Sequence, residues 1–137
     1  MQRQLDDKTF VCGQITPEEI NAIKDLGVTM IVNNRPDNED EGQPSSAEIE
    51  AATTAAGLEY RHIPIVRGMG PADVEAMREA IGAIGDGKMV AFCRSGNRSA
   101  LAWAVAQSEN GVARDELDRC ADGAGFSLAP VAHLLRD

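Results

Sequence analysis

Residues 88–106 read KMVAFCRSGNRSALAWAVA. An apolar run suited to a buried strand is followed by a seven-residue loop, CRSGNRS (93–99). After it comes an alanine-rich stretch that is apolar around most of its circumference, as a buried helix must be. Strand, short glycine-containing loop and helix in that order are the recurring unit of α/β sheets, where ligands bind at the carboxyl ends of the strands. The pattern puts Cys93 at such an end, with Arg94 and Arg98 beside it.

The same alternation runs through the chain. TFVCGQ (9–14) reads as a first strand. Thr16, Pro17 and Glu19 mark a helix start, Ile20, Ile23 and Leu26 its buried face, and Gly27 its end. VTMIVNN (28–34) is a β-branched apolar run, hence a buried strand. An acidic loop, RPDNEDEGQP (35–44), leads to a second helix opened by Ser45 with Glu48 and stopped by Gly57. LEYRHIPIV (58–66) alternates as a strand does, and Pro64 puts its second half at an edge or strand end. A third helix starts at Pro71 and carries Val74, Met77, Ile81 and Ile84 on one stripe. ARDELDRCA and APVAHLL read as two short C-terminal helices. The sum is a single-domain, three-layer α/β fold over residues 1–137, with a mostly parallel central sheet flanked by helices.

Composition narrows the function. Aromatic residues make up 4% of the chain, so alanine, isoleucine, leucine and valine must build most of the core. The net charge of -9 argues against nucleic acid and against an anionic membrane surface, because no basic excess is available for either. A small anionic or sulfur-containing substrate remains compatible, since a local positive pocket overcomes a distant negative field at short range. No stretch reaches the length of a membrane span, and MQRQLDDKTF has no apolar signal region, so the expected location is cytoplasmic. Three widely spaced cysteines, Cys12, Cys93 and Cys120, fit reduced thiols. Two histidines among scattered cysteines give no metal-ligand spacing, and neither metal nor cofactor is expected. Nothing in the sequence fixes the oligomeric state.

The chemistry concentrates in residues 93–99. A strand-to-helix loop exposes several N–H groups at one point, and the helix dipole adds positive potential there. Gly96 admits backbone angles that other residues avoid. Arg98 offers a planar fork to an oxyanion, Arg94 steers it in, and Ser99 can donate to a thiolate or a leaving group. Cys93, facing a helix N-terminus and two cations, is in the setting that lowers a thiol pKa from ~8.5 to roughly 3.5–7.5. The expected site is therefore Cys93, Arg98 and Ser99 as catalytic groups. Arg94, Ser95, Gly96 and Asn97 would bind substrate, with Asn34 and Arg35 lining the site from the end of a neighbouring strand. Cys12 and Cys120 are expected to be inert.

The loop CRSGNRS resembles the active-site loop of rhodanese sulfurtransferases. The wider frame, GQITPEEINAIKDLGVTMIVNNRPD, GQPSSAEIEAA, YRHIPIV and the cysteine loop, resembles the phosphatase-like domain of beta-lactamase-hydrolase-like proteins over about residues 8 to 110. That resemblance implies a fold like that of dual-specificity tyrosine phosphatases, with either phosphatase or sulfurtransferase activity. Three features depart from the tyrosine-phosphatase pattern. Four residues rather than five separate Cys93 from Arg98. Phe92 stands where histidine precedes the cysteine. Val66 and Arg67 stand where an aspartic general acid follows the IPI strand, and Asp73 reads as part of the third helix's first turn.

A positioned acid contributes typically ~10²–10⁴-fold, and an alkyl phosphate expels a very basic alkoxide. Sulfite leaves thiosulfate without a proton, and a persulfide needs less room than a phosphoryl group. The residues thus put sulfur transfer through a Cys93 persulfide first, phosphate-monoester hydrolysis through a phosphocysteine second, and an anion-binding module without turnover third. Elsewhere the expectations are modest. Asn33 fits a strand end as well as a site, His62 is structural, the acidic run 37–41 is a solvated loop, and Met77 and Trp103 are core.

Overall fold

The computed structural model describes residues 2–66 and 68–136. In chain order, β1 (Arg3–Asp6) and β2 (Thr9–Cys12) form a hairpin, and a 3-10 turn (Pro17–Glu19) leads into α1 (Ile20–Lys24). Then come β3 (Val28–Asn33), α2 (Ser46–Ala55), β4 (Glu59–His62), α3 (Pro71–Ala83), β5 (Lys88–Phe92), α4 (Asn97–Glu109) and α5 (Arg114–Gly123), with a 3-10 stretch at Ala129–Leu134. The strands form one sheet in the order β1-β2-β5-β3-β4. β2, β5, β3 and β4 are parallel, and β1 pairs antiparallel with β2 at the edge. The sheet is thus mostly parallel, as its sequence implies.

Both faces are covered. Met89 and Ala91 of β5 pack with the layer that contains α3, α4 and α5, while Val90 and Phe92 pack with Ile20 and Ile23 of α1 and Ile49 of α2. Alternate residues of one strand thus fill two cores, which is why KMVAF is apolar without alternation. In β3 the register against β5 slips between Val28 and Met30, and Val28 and Ile31, three apart, share a face in consequence. α4 is buried from Ser99 to Ala106 because it lies between the sheet and the α3, α5 and C-terminal elements. Its alanines let backbones approach closely, and Trp103 fills the volume they leave. The Trp103 indole N–H has no partner among the described residues.

Local signals set the helix starts. Glu48 N–H donates to Ser45 Oγ at 3.1 Å and Ser45 N–H to Glu48 Oε1 at 3.2 Å, closing a capping box on α2. Thr16 N–H donates to Glu19 Oε1 at 2.8 Å ahead of α1. Pro71 opens α3, and Asp73 Oδ2 accepts the Gly70 N–H at 3.0 Å. Asp73 is therefore a capping group, as its position after Pro71 suggests.

Several features differ from the expectations: the strand expected over 58–66 ends at His62, and APVAHLL, expected as a helix, is a 3-10 stretch. β1 is an additional strand, missed because Leu5 is its one buried residue and an edge strand needs no apolar face. The first strand stops at Cys12 rather than at residue 14. Leu26 is exposed rather than on the α1 face, because α1 ends at Lys24 and the chain turns through Gly27 at φ 89°. Pro64 behaves as an edge proline should. Ile63 and Ile65 N–H groups donate to Asn33 and Asn34 carbonyls at 2.8 and 3.1 Å, and Pro64, which has no N–H, stands between them. No helix among the described residues is long and apolar enough to cross a membrane.

Met77, fully buried on α3, joins the core to the site through its sulfur. Met77→Ala should cost about 2–5 kcal/mol of stability. Urea unfolding should show a lower midpoint with an unchanged slope.

Candidate active site

The carboxyl ends of three adjacent strands are knit together beneath the loop. Cys93 N–H donates to the Cys12 carbonyl at 3.2 Å, and Asn34 N–H to the Phe92 carbonyl at 2.8 Å. Cys93 is 1% exposed, and its Sγ accepts the Gly96 N–H at 3.1 Å. Gly96 has φ 94°, and a Cβ there would stand 3.2 Å from the Phe126 ring and 3.3 Å from the Cys12 backbone. Backbone angle and space both demand glycine. Gly13 forms the floor, where a Cβ would meet the Arg94 carbonyl at 3.0 Å. Ala100 N–H makes the first α4 bond, to the Gly96 carbonyl. Among the described residues the N–H groups of Arg94, Ser95, Arg98 and Ser99 have no partner and remain available to an anion at the helix N-terminus.

Arg98 is held by a carboxylate. Its Nη1 donates to Glu39 Oε2 and its Nη2 to Glu39 Oε1, both at 2.8 Å, and Nη1 also reaches the Ile65 carbonyl at 3.0 Å. Glu39 Oε1 accepts Arg35 Nε at 2.7 Å as well. Arg35 Nη2 pairs with Asp40 Oδ2 at 2.5 Å, and the same oxygen lies 3.2 Å from Arg94 Nε. Two carboxylates thus bridge three arginines. The run 37–41 is exposed, as a solvated loop should be, and its two central acids are in addition paired with these arginines. The Arg98 hydrogen bond chiefly, with help from Arg35 and against partial burial, brings the Glu39 carboxyl down to about 2 from 4.5. Glu39 in turn raises Arg98, with smaller contributions from the Cys93 sulfur.

Other expected residues take supporting roles. Ser99 Oγ donates to Asn34 Oδ1 at 2.8 Å and not to Cys93, which corrects its assignment as a donor to the thiolate. Asn34 is fully buried and donates to the Ile63 carbonyl at 3.1 Å and to Met77 Sδ at 3.6 Å, so it braces the site rather than lining it. Arg35 is 3% exposed, and three of its five N–H donors are taken by Glu39, Asp40 and Gln14, so it braces the loop from within rather than facing solvent. Asn33 accepts the Arg35 N–H and donates to the Tyr60 hydroxyl. His62 Nε2 lies 2.8 Å from the Arg35 carbonyl, a structural bond. Arg94, Ser95 and Asn97 are exposed on the loop. Arg67, expected in place of a general acid, lies outside the described residues. A groove of about 370 Å³ between α3, α4 and the C-terminal stretch includes none of residues 93–99.

The fold is that of the tyrosine and dual-specificity phosphatases. A kinase-associated phosphatase whose catalytic-site cysteine is replaced by serine superimposes with a TM-score of 0.72 at 14% identity, covering 97% of this chain and 89% of that one. A putative phosphatase of Neisseria meningitidis is 33% identical with a TM-score of 0.79, covering 96% of this chain and 94% of its own. The beta-lactamase hydrolase-like protein of Xylella fastidiosa (strain Temecula1) is 30% identical over 134 residues, which is 96% of this chain and 31% of that protein. The chain therefore spans about a third of the length of that relative. Residues 2–110 match the phosphatase-like domain of beta-lactamase hydrolase-like proteins, and the chain belongs to that family.

The three thiols differ in surroundings. Burial pushes Cys12 up to about 12, and burial with a hydrogen bond to Glu116 pushes Cys120 up to about 11. Brief alkylation near neutral pH should mark Cys93 ahead of both, read by peptide mass spectrometry. Equal labelling of all three would remove the case for a nucleophile. Glu39 yields a second expectation, in stability. Its carboxyl is lower in the folded chain than in the unfolded one, so its contribution is complete above about 4.5 and is lost as pH falls towards about 2. The stability gap between wild type and Glu39→Gln should be constant at neutral pH and shrink across that acid window in urea titrations.

Proposed function

We propose that this chain is a cysteine-dependent phosphatase acting on phosphate monoesters. The observation that carries the reading is the Cys93 loop, which joins a buried sulfur to unpartnered N–H groups and to a clamped Arg98 in a chain of a phosphatase-like family. Sulfur transfer, the first expectation from the residues, gains no support from these relatives, and phosphate hydrolysis fits them better. The Cys93 thiolate attacks phosphorus, the bond to the ester oxygen breaks, and the leaving oxygen takes up a proton. Water then displaces the sulfur and releases inorganic phosphate. Arg98 and the loop N–H groups hold the equatorial oxygens, where charge is spread in the transition state.

The leaving group decides the rate. Asp73 is engaged in capping α3, and Glu39 is ionised at neutral pH, so neither serves as the proton donor. A phenol departs with far less help than an alcohol, whose loss without an acid forfeits typically ~10²–10⁴-fold. Aryl phosphates should therefore be cleaved faster than alkyl phosphates such as phosphoserine.

The four-residue spacing from Cys93 to Arg98 favours a second reading, sulfur transfer through a Cys93 persulfide. Incubation with p-nitrophenyl phosphate and, separately, with thiosulfate and cyanide distinguishes the two, with Cys93→Ser as the inactive control. Phosphate release by wild type, lost in Cys93→Ser, supports the hydrolase. A one-sulfur mass increase on Cys93, with thiocyanate formed and no phosphate released, would replace it.

A further inference from the structure

We propose that Gln43 is a positioning residue for the site, acting on Arg98 and Arg94 through the backbone of Glu39 and Asp40. This rests on the reading of the Cys93 loop as an anion site, though not on turnover. Gln43 Oε1 accepts the N–H of Glu39 at 3.1 Å and that of Asp40 at 3.2 Å, while its Nε2 donates to the Pro36 carbonyl at 3.0 Å. One side chain therefore fastens both ends of the segment that carries the two carboxylates. That segment has almost no bonding of its own. Among the described residues, the backbone–backbone bond within 36–44 runs from Gln43 N–H to the Asp40 carbonyl at a long 3.4 Å. The Gln43 amide stands in for the missing ladder.

The turns around it suit that task. Asn38 at φ 65° and Gly42 at φ 75° lie in the left-handed region on either side of the two acids. Asp37 Oδ1 accepts the Ser46 N–H at 2.7 Å and ties the loop to the start of α2. With the segment fixed at both ends, the Glu39 carboxylate is presented to Arg98 and Arg35, and that of Asp40 to Arg35 and Arg94. An amide also fits the charge pattern. It accepts two N–H groups without adding a fifth negative charge to Asp37, Glu39, Asp40 and Glu41, whose mutual repulsion would splay the loop. Among the described residues Gln43 makes no hydrogen bond to Cys93 or Arg98, so its effect travels through the two carboxylates.

Inorganic phosphate provides the test, because it protects Cys93 from alkylation without any reaction taking place. Gln43→Met keeps the bulk of the side chain and removes its hydrogen bonds, and Gln43→Ala is the second variant should the first misfold. Both should raise the phosphate concentration that halves Cys93 alkylation by about tenfold, the scale of a catalytic group displaced by a fraction of an ångström. With p-nitrophenyl phosphate they should lower kcat more than they raise KM. In a Glu39→Gln background the same change should add little, since residues acting through one another are not additive. Three outcomes would overturn the proposal: no phosphate protection in wild type, unchanged protection in folded Gln43 variants, or an equal effect with and without Glu39. Protection without hydrolysis in wild type would sink the phosphatase reading and leave the role of Gln43 standing.

Discussion

The hydrogen bond from the Ser99 hydroxyl to the Asn34 side chain, with both residues fully buried, is the joint on which the site depends. It ties the first turn of α4 to the end of β3. Asn34 then distributes that attachment, by its amide to the Ile63 carbonyl and the Met77 sulfur, and by its backbone to Phe92 and Ile65. One residue is thereby bonded to β5, to the chain beyond β4, to α3 and to α4. Removing either partner would leave a buried polar group unpaired, at a cost of roughly 1–3 kcal/mol. The Cys93 loop is held from below by this bond and from the side by the Cys93 N–H bond to the Cys12 carbonyl.

The outer half of the site is electrostatic. Three arginines in an acidic protein would ordinarily drift towards whichever carboxylate lay nearest. Here two carboxylates of one loop take fixed positions among them, and Glu39 engages Arg98 through both oxygens. The exposure of the pairs falls steeply inward, from Arg94 at 69% to Arg35 at 3%. Solvent therefore screens the outer bridge most and the inner one least. The inner arginine acts as a strut, and the outer one lies largely in solvent. A binding group held in place before its ligand arrives needs no reorganisation when charge develops.

The parts legible in the sequence were those governed by periodicity and by local chemistry. The β5–loop–α4 unit announced itself because a doubly buried strand must be continuously apolar and a central helix nearly so. The Ser45 cap placed α2 and Pro71 placed α3 for the same local reason. β1 was hidden because an edge strand carries little pattern, and Leu26 was misplaced because the periodic rule extends past the point where Gly27 turns the chain. Within the site, Cys93 and Gly96 followed from the motif. The partners of Arg98 and Ser99 did not, since Glu39 and Asn34 stand 59 and 65 residues away along the chain. No spacing rule links a helix start to a loop so distant. The acidic run looked like ordinary surface for that reason.

Trp103 gives the molecule a built-in optical reporter. It is the chain's one tryptophan, it sits one helical turn beyond Ser99, and its indole N–H is buried without a partner among the described residues. An indole in apolar surroundings emits at short wavelength and shifts to the red when water reaches it. The unpaired N–H makes the ring sensitive to any acceptor that enters its neighbourhood. Intrinsic fluorescence can therefore follow the seating of α4, and with it the anchoring of the cysteine loop, without a label and without a substrate.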